Sequence, residues 1–290
     1  MWIIAILGSA SALAESTLAQ IYKKKGEDGR CYGGPAYYIE AALHSRELAV
    51  VFCIAMILTY AFGFNMLASY NLQSTFASQP FYNAEITPWI IGGILSLVMG
   101  WCLLGGGNRI VKVTSTLVPF MGIAYILVSL LVVVLNIGQL PSVMAQIFKE
   151  AFDFKAIFAG FAGSAMMQGI RRGLYSNEAG IGSAPNAAAS AVVSHPVKQG
   201  LVQMLSVFID TLLLCTATAM MCLVSGVIPA KELQGAPWVQ AALHKTLGSF
   251  GPYFIMIAMV LFAFTTLLGN CFYCDNLLTY IHKNNRTGNL

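Results

Sequence analysis

Residues 171–189 read RRGLYSNEAGIGSAPNAAA. The stretch is crowded with Gly, Ser, Asn and Ala, yet long apolar runs lie on both sides of it. Polar, glycine-interrupted sequence in such surroundings marks backbone that has left the helix to line a cavity. Upstream, Gly160, Gly163, Gly169 and Gly173 extend the interruption. Each glycine costs a helix interior up to about 1 kcal/mol relative to alanine. One reading is a discontinuous helix, broken near Gly160 and Gly163, whose free amides face an anionic carboxylate near the bilayer midplane. The other is close helix packing through small residues.

Working outward, the 290 residues are 57% hydrophobic and only 10% charged, with a mean hydropathy of +0.71. Soluble domains carry about 25% charged residues. Runs of about 20 apolar residues suffice to cross a bilayer, and seven segments have that character. They are 1–21, 48–76, 88–106, 113–137, 156–192 (interrupted), 199–228 and 251–281. Shorter amphipathic stretches at 34–44, 139–150 and 231–247 belong at the membrane surface. The expected class is an all-α integral membrane protein, forming a single transmembrane domain over 1–290. The net charge of +4 then reports topology, and nucleic acid is not an expected partner. The bilayer is.

Met1–Glu15 ends its apolar run in Ala12-Leu13-Ala14, like a signal-peptidase site. It lacks the basic start such a peptide needs, so it reads as a membrane helix. Lys and Arg alternate across the segments. Lys23, Lys24, Lys25, Arg30, Arg46, Arg109, Lys112, Arg171, Arg172, Lys198, Lys283 and Arg286 fall on one side. Only Lys149, Lys155, Lys231 and Lys245 fall on the other. The basic side is cytoplasmic. The seven cysteines lie mostly in apolar helices and imply no disulfide.

The 171–189 stretch resembles the signature of the sodium:alanine symporter (amino-acid carrier) family. Gly33-Gly34-Pro35-Ala36-Tyr37-Tyr38-Ile39, His195-Pro196-Val197-Lys198-Gln199-Gly200-Leu201 and the VFIDT run at 207–211 extend the resemblance over nearly the whole chain. It implies a ten-helix core of two inverted five-helix repeats, of the amino-acid/polyamine transporter type, in which these segments are core helices two to eight. The family's first core helix carries a Gly-Thr-Gly-Asn-type break that is not found here, so the resemblance implies a partial core. The implied activity is sodium-coupled symport of small neutral amino acids at the plasma membrane by alternating access. Na+ is the coupling ion and no other cofactor is implied. The rival expectations are a membrane-inserted module that does not transport, and a membrane enzyme. An enzyme needs a convergent catalytic cluster, whereas the four histidines fall in loops or at helix ends.

Several residues stand out within that frame. Ser176, Asn177, Glu178 and Gly180 form the cytoplasmic turn of the interrupted segment. Glu178 is either a gate residue with a basic partner or a solvated turn carboxylate. Asp210, a carboxylate at membrane depth, needs a partner or a cation; it serves either sodium or a structural hydrogen bond. Thr265 and Thr266, one turn after the Phe262 carbonyl, form half of a sodium cage in the resemblance, since hard cations take oxygen ligands. Alternatively they bond their own i−4 carbonyls. Asn65 and Ser69 share a helix face, and Phe62 and Phe64 can wall a small pocket. These polar groups serve either substrate or interhelical contacts. Many family members carry Gln where Ala68 stands, a departure that weakens the case for alanine itself as the substrate. The lone Cys271-Phe272-Tyr273-Cys274 lacks a second pair for a metal site.

Overall fold

The computed structural model describes residues 1–26, 29–77, 79–153, 165–230 and 233–286. They form thirteen α-helices: α1 Trp2–Ile21, α2 Pro35–Leu43, α3 Arg46–Leu58, α4 Asn65–Phe76, α5 Thr87–Leu104, α6 Gly106–Leu135, α7 Leu140–Ala151, α8 Ala165–Asn177, α9 Ala184–Ala188, α10 Pro196–Val207, α11 Thr216–Val224, α12 Ala236–Leu247 and α13 Phe250–Arg286. Two π-helical segments, Thr59–Phe64 and Phe208–Cys215, join α3 to α4 and α10 to α11 without a break. An antiparallel ribbon pairs Lys24–Lys25 with Cys31–Tyr32.

Six stretches among the described residues are long and apolar enough to cross a membrane. These are Trp2–Ile21, Arg46–Phe76, Thr87–Leu104, Arg109–Leu135, Pro196–Val224 and Phe250–His282. They match six of the seven expected segments, and the protein is a multi-pass membrane protein. Part of the seventh, 156–192, lies outside the described residues, including Gly160 and Gly163. Its described part is α8, a turn and the short α9. The amphipathic stretches appear as α2, α7 and α12. The ribbon at 24–32 is an addition to the loop expected there; Gly29, at φ 76°, permits its tight turn.

The chain divides into two compact units. Unit 1 comprises Met1–Phe62, Phe152–Leu213 and Cys271–Leu290; unit 2 comprises Gly63–Ala151 and Leu214–Asn270.

Unit 1 is built on small residues. Ala5, Ser9, Ala12, Ser16 and Ala19 recur every three or four positions on α1, and all are buried. In a membrane, apolar burial gives little drive, so helices associate where small side chains let backbones approach. Helix α10 answers with Gly200. A Cβ there would stand 2.7 Å from the Leu13 carbonyl oxygen of α1. Pro196 opens α10, and the His195 ring accepts from Val197 N at 3.3 Å, so the helix start is capped.

Unit 2 is held by larger side chains. Tyr125 and Val132 of α6, Met221 and Val224 of α11, Leu243 of α12, and Ile255 and Ala258 of α13 form one buried cluster with Val143 of α7. The Tyr125 ring meets Phe262 edge-on at 5.5 Å, and its hydroxyl lies 2.9 Å from Thr218 Oγ1. Gln240, 3% exposed, spends its amide on the Thr75 and Pro252 carbonyls at 3.0 and 3.3 Å, tying α4 to α12 and α13.

Candidate functional site

Gly160 and Gly163 aside, the residues singled out from sequence fall into two groups, one in unit 1 and one, Phe62 excepted, in unit 2. In unit 1, helix α8 ends at Asn177 and the chain turns through 178–183 before α9. Three residues of this turn have positive φ: Glu178 at 50°, Gly180 at 87° and Gly182 at 91°. Glycine takes this conformation freely; an L-residue does not. The Asn177 side-chain oxygen accepts from Ala179 N at 3.1 Å, which closes the start of the turn as an Asx motif. Gly182 is also fixed by space, since a Cβ there would meet Pro35 Cγ at 2.7 Å.

Three carboxylates hold this turn. Glu15 of α1 accepts from Gly180 N at 3.2 Å. Glu178 accepts from Tyr60 Oη at 3.1 Å and Ser183 Oγ at 2.5 Å. Asp210 accepts from Ser176 Oγ and, at 3.4 Å, from Thr211 Oγ1. Tyr60 is fully buried and its ring stands edge-on to Tyr273 of α13 at 5.5 Å. Tyr60 belongs to the first π segment and Asp210 to the second. Of the two readings for Glu178, the structure supplies hydroxyl partners. For Asp210 it supplies hydroxyl hydrogen bonds.

A second junction of unit 1 lies below this turn. Asn276 of α13 donates to the Gly33 carbonyl at 2.6 Å and to Asn186 Oδ1 of α9 at 2.7 Å. Asn186 in turn donates to the Gly182 carbonyl at 2.8 Å. Gly34, at φ 118°, leaves no room for a side chain, because a Cβ would stand 2.5 Å from Asn186 Oδ1. The GGP and SAPN motifs therefore meet on one buried asparagine. Tyr280 donates to Glu40 at 2.9 Å nearby.

In unit 2, Asn65 opens α4 and Ser69 follows one turn later, both half-buried. Asn270 of α13, 4% exposed, donates to Asn65 Oδ1 at 2.8 Å. Thr266 lies one turn before Asn270, on the same helix face, and is exposed. Thr265 is buried; its hydroxyl donates to the Leu261 and Phe262 carbonyls at 3.0 and 3.1 Å. A hydroxyl that donates its proton keeps oxygen lone pairs, so this geometry suits either reading of Thr265. Phe64 is half-buried. Phe62, the last residue of unit 1, is exposed. Among the described residues no three His, Cys, Asp or Glu side chains converge as metal ligands.

Sequence reasoning missed Tyr60, Ser183, Asn186, Asn270 and Asn276. The three asparagines carried a usable signal, since an amide within a membrane segment calls for an interhelical partner. Tyr60 carried none.

Comparison with known proteins identifies the family. The model of the sodium:alanine symporter family matches residues 1–290. The chain is 44% identical to "Probable sodium/glutamine symporter GlnT" of Bacillus subtilis (strain 168), over 99% of this chain and 59% of that protein. It is 42% identical to "Amino-acid carrier protein AlsT" of the same organism, over 97% of this chain and 59% of that protein. It is 36% identical to "Sodium/alanine symporter AgcS" of Methanococcus maripaludis, over 97% of this chain and 62% of that protein. The chain thus spans about three fifths of the length of these relatives. Their names are those of transporters, not enzymes.

Proposed function

The chain belongs to the sodium:alanine symporter family, and on that premise we propose that it serves sodium-coupled symport of small neutral amino acids, of alanine or glycine type, across the plasma membrane. In this reading its spans form part of a ten-helix, inverted-repeat core that works by alternating access. The observation that carries the reading is the polar face in unit 2. Asn65 on one spanning helix meets Asn270 on another, with Ser69 one turn from the first and Thr266 one turn from the second. Amides and hydroxyls gathered at membrane depth fit a small zwitterion and its coupling ion better than they fit lipid.

Role by role, Asn65 and Ser69 offer hydrogen bonds to substrate, and Phe62 and Phe64 limit its side chain. Thr265, Thr266 and the Phe262 carbonyl offer neutral oxygens to Na+. Asp210, with its Ser176 and Thr211 partners, supports the turn at 176–183. GlnT and AgcS differ in the substrate that their names give, and the small neutral class proposed here follows the second.

Reconstitution into liposomes tests the proposal. Labelled alanine should accumulate under an inward sodium gradient, and unlabelled alanine or glycine should compete. Uptake driven equally by potassium overturns sodium coupling. Competition by glutamine but not alanine overturns the substrate. No uptake at all overturns the transport reading for this chain and leaves a membrane-inserted module that does not transport.

A further inference from the structure

The segment 176–183, the last residues of α8 with the turn that follows, is gripped from two sides by the two π segments. Tyr60 of Thr59–Phe64 holds Glu178 at 3.1 Å; Asp210 of Phe208–Cys215 holds Ser176. Single π-helical stretches within α-helices are rare and are found most often at functional sites. Glu178 supplies an independent sign. It sits at φ 50°, in a turn where the other positive-φ positions, Gly180 and Gly182, are glycines. A side chain costs about 1–2 kcal/mol in this conformation. A carboxylate kept where glycine would sit more comfortably points to work done by the carboxylate. Here its oxygen joins Tyr60 of the α3–α4 helix to Ser183 at the far end of the turn.

We propose that Glu178 is a positioning residue that keeps the 176–183 turn closed, acting with Asp210 as a two-sided latch between the π segments. Glu178 fixes the C-terminal end of the turn through Ser183, and Asp210 fixes its start through Ser176. Loss of either contact frees one end of the turn, while Glu15, which accepts from Gly180 N, still holds its middle. The meaning of opening, release at the cytoplasmic face, rests on the symporter reading above. The latch itself does not.

Hydrogen exchange on the purified full chain in lipid nanodiscs tests it without any transport step. The probes are the amides of residues 179–184. Glu178→Gln removes the charge at nearly constant shape. Glu178→Asn suits the left-handed backbone but is too short to reach Tyr60. Both should raise exchange in this stretch at least about tenfold, the scale of losing hydrogen bonds to a charged group. Exchange in α12 and the unfolding midpoint, which a general packing defect would shift, should stay put. Tyr60→Phe, which deletes one oxygen, should act in the same direction. Combined with Glu178→Gln it should add little, since the two remove one interaction. Unchanged or slower exchange in Glu178→Asn would show that the residue matters only for its backbone, and the latch would fall. Additive effects of Tyr60→Phe and Glu178→Gln would overturn it equally. If the latch holds and sodium-driven uptake fails, the transport reading is at fault and the latch stands.

Discussion

A single amide carries an unusual share of unit 1. Asn276 holds both the Gly33 carbonyl and Asn186, and Asn186 holds the Gly182 carbonyl. Interhelical hydrogen bonds in membranes are worth about 0.6–2 kcal/mol each. Asn276→Leu should therefore destabilise the protein by roughly 1–4 kcal/mol, since two bonds go and Asn186 is left buried with one partner fewer. A thermal or SDS unfolding series reads this directly. Gly200→Ala should be as severe for a different reason. The new methyl would press on Thr17 Oγ1 and on the Leu13 carbonyl of α1; the hydroxyl can turn aside but the backbone cannot, which forces α1 and α10 apart. Thr266→Val and Thr265→Val separate the two readings of the hydroxyl pair. If the proposed symport holds, loss of a sodium ligand should raise the sodium concentration for half-maximal uptake at least several-fold with near-normal expression. An unchanged sodium dependence in both variants would remove them from the ion site.

Between residue and whole lie the helices, and these were uneven in their legibility. Length and apolarity set the spans, so six of them could be read from composition. The surface helices α2, α7 and α12 could be read from their mixed faces. The π segments could not. A helix that is apolar on nearly every side carries no phase, so an extra residue in one turn leaves no trace in its pattern. The carboxylates of the turn were conspicuous because a charge in apolar surroundings stands out. Their partners were not, because Tyr60 and Ser183 acquire meaning only from what they touch. The π segments make an element-scale prediction. Removing one residue from Thr59–Phe64, such as Ala61, restores an α-helical register. The wide turn absorbs one extra residue, so its removal leaves the flanking helices nearly in phase but shifts the residues inside the segment, Tyr60 among them, off the positions from which they reach Glu178 and Tyr273. Loss of protection in 179–184 or in α13 should follow. The same deletion within Arg46–Leu58 should disturb both units together.

For the whole molecule, the distribution of Lys and Arg predicts orientation. Single cysteines at Lys24 and at Ala84, both exposed, placed in a background freed of the native thiols, should label from opposite sides of the membrane. Equal labelling from outside would reverse the map. The division of the chain bears on a different matter, the order in which the protein is made. Unit 2 draws on two stretches of sequence, whereas unit 1 draws on three. The N-terminal helices of unit 1 emerge first and then wait through all of unit 2. Their tie to α9, Asn276, is translated after every group it binds. Contacts so distant in sequence form late, because the intervening chain must first be brought together. During synthesis, then, the Gly33 carbonyl and Asn186 Oδ1 lack this partner, and the junction is exposed to quality-control proteases. A ribosome stalled just before Asn276 would hold the protein at its most vulnerable moment.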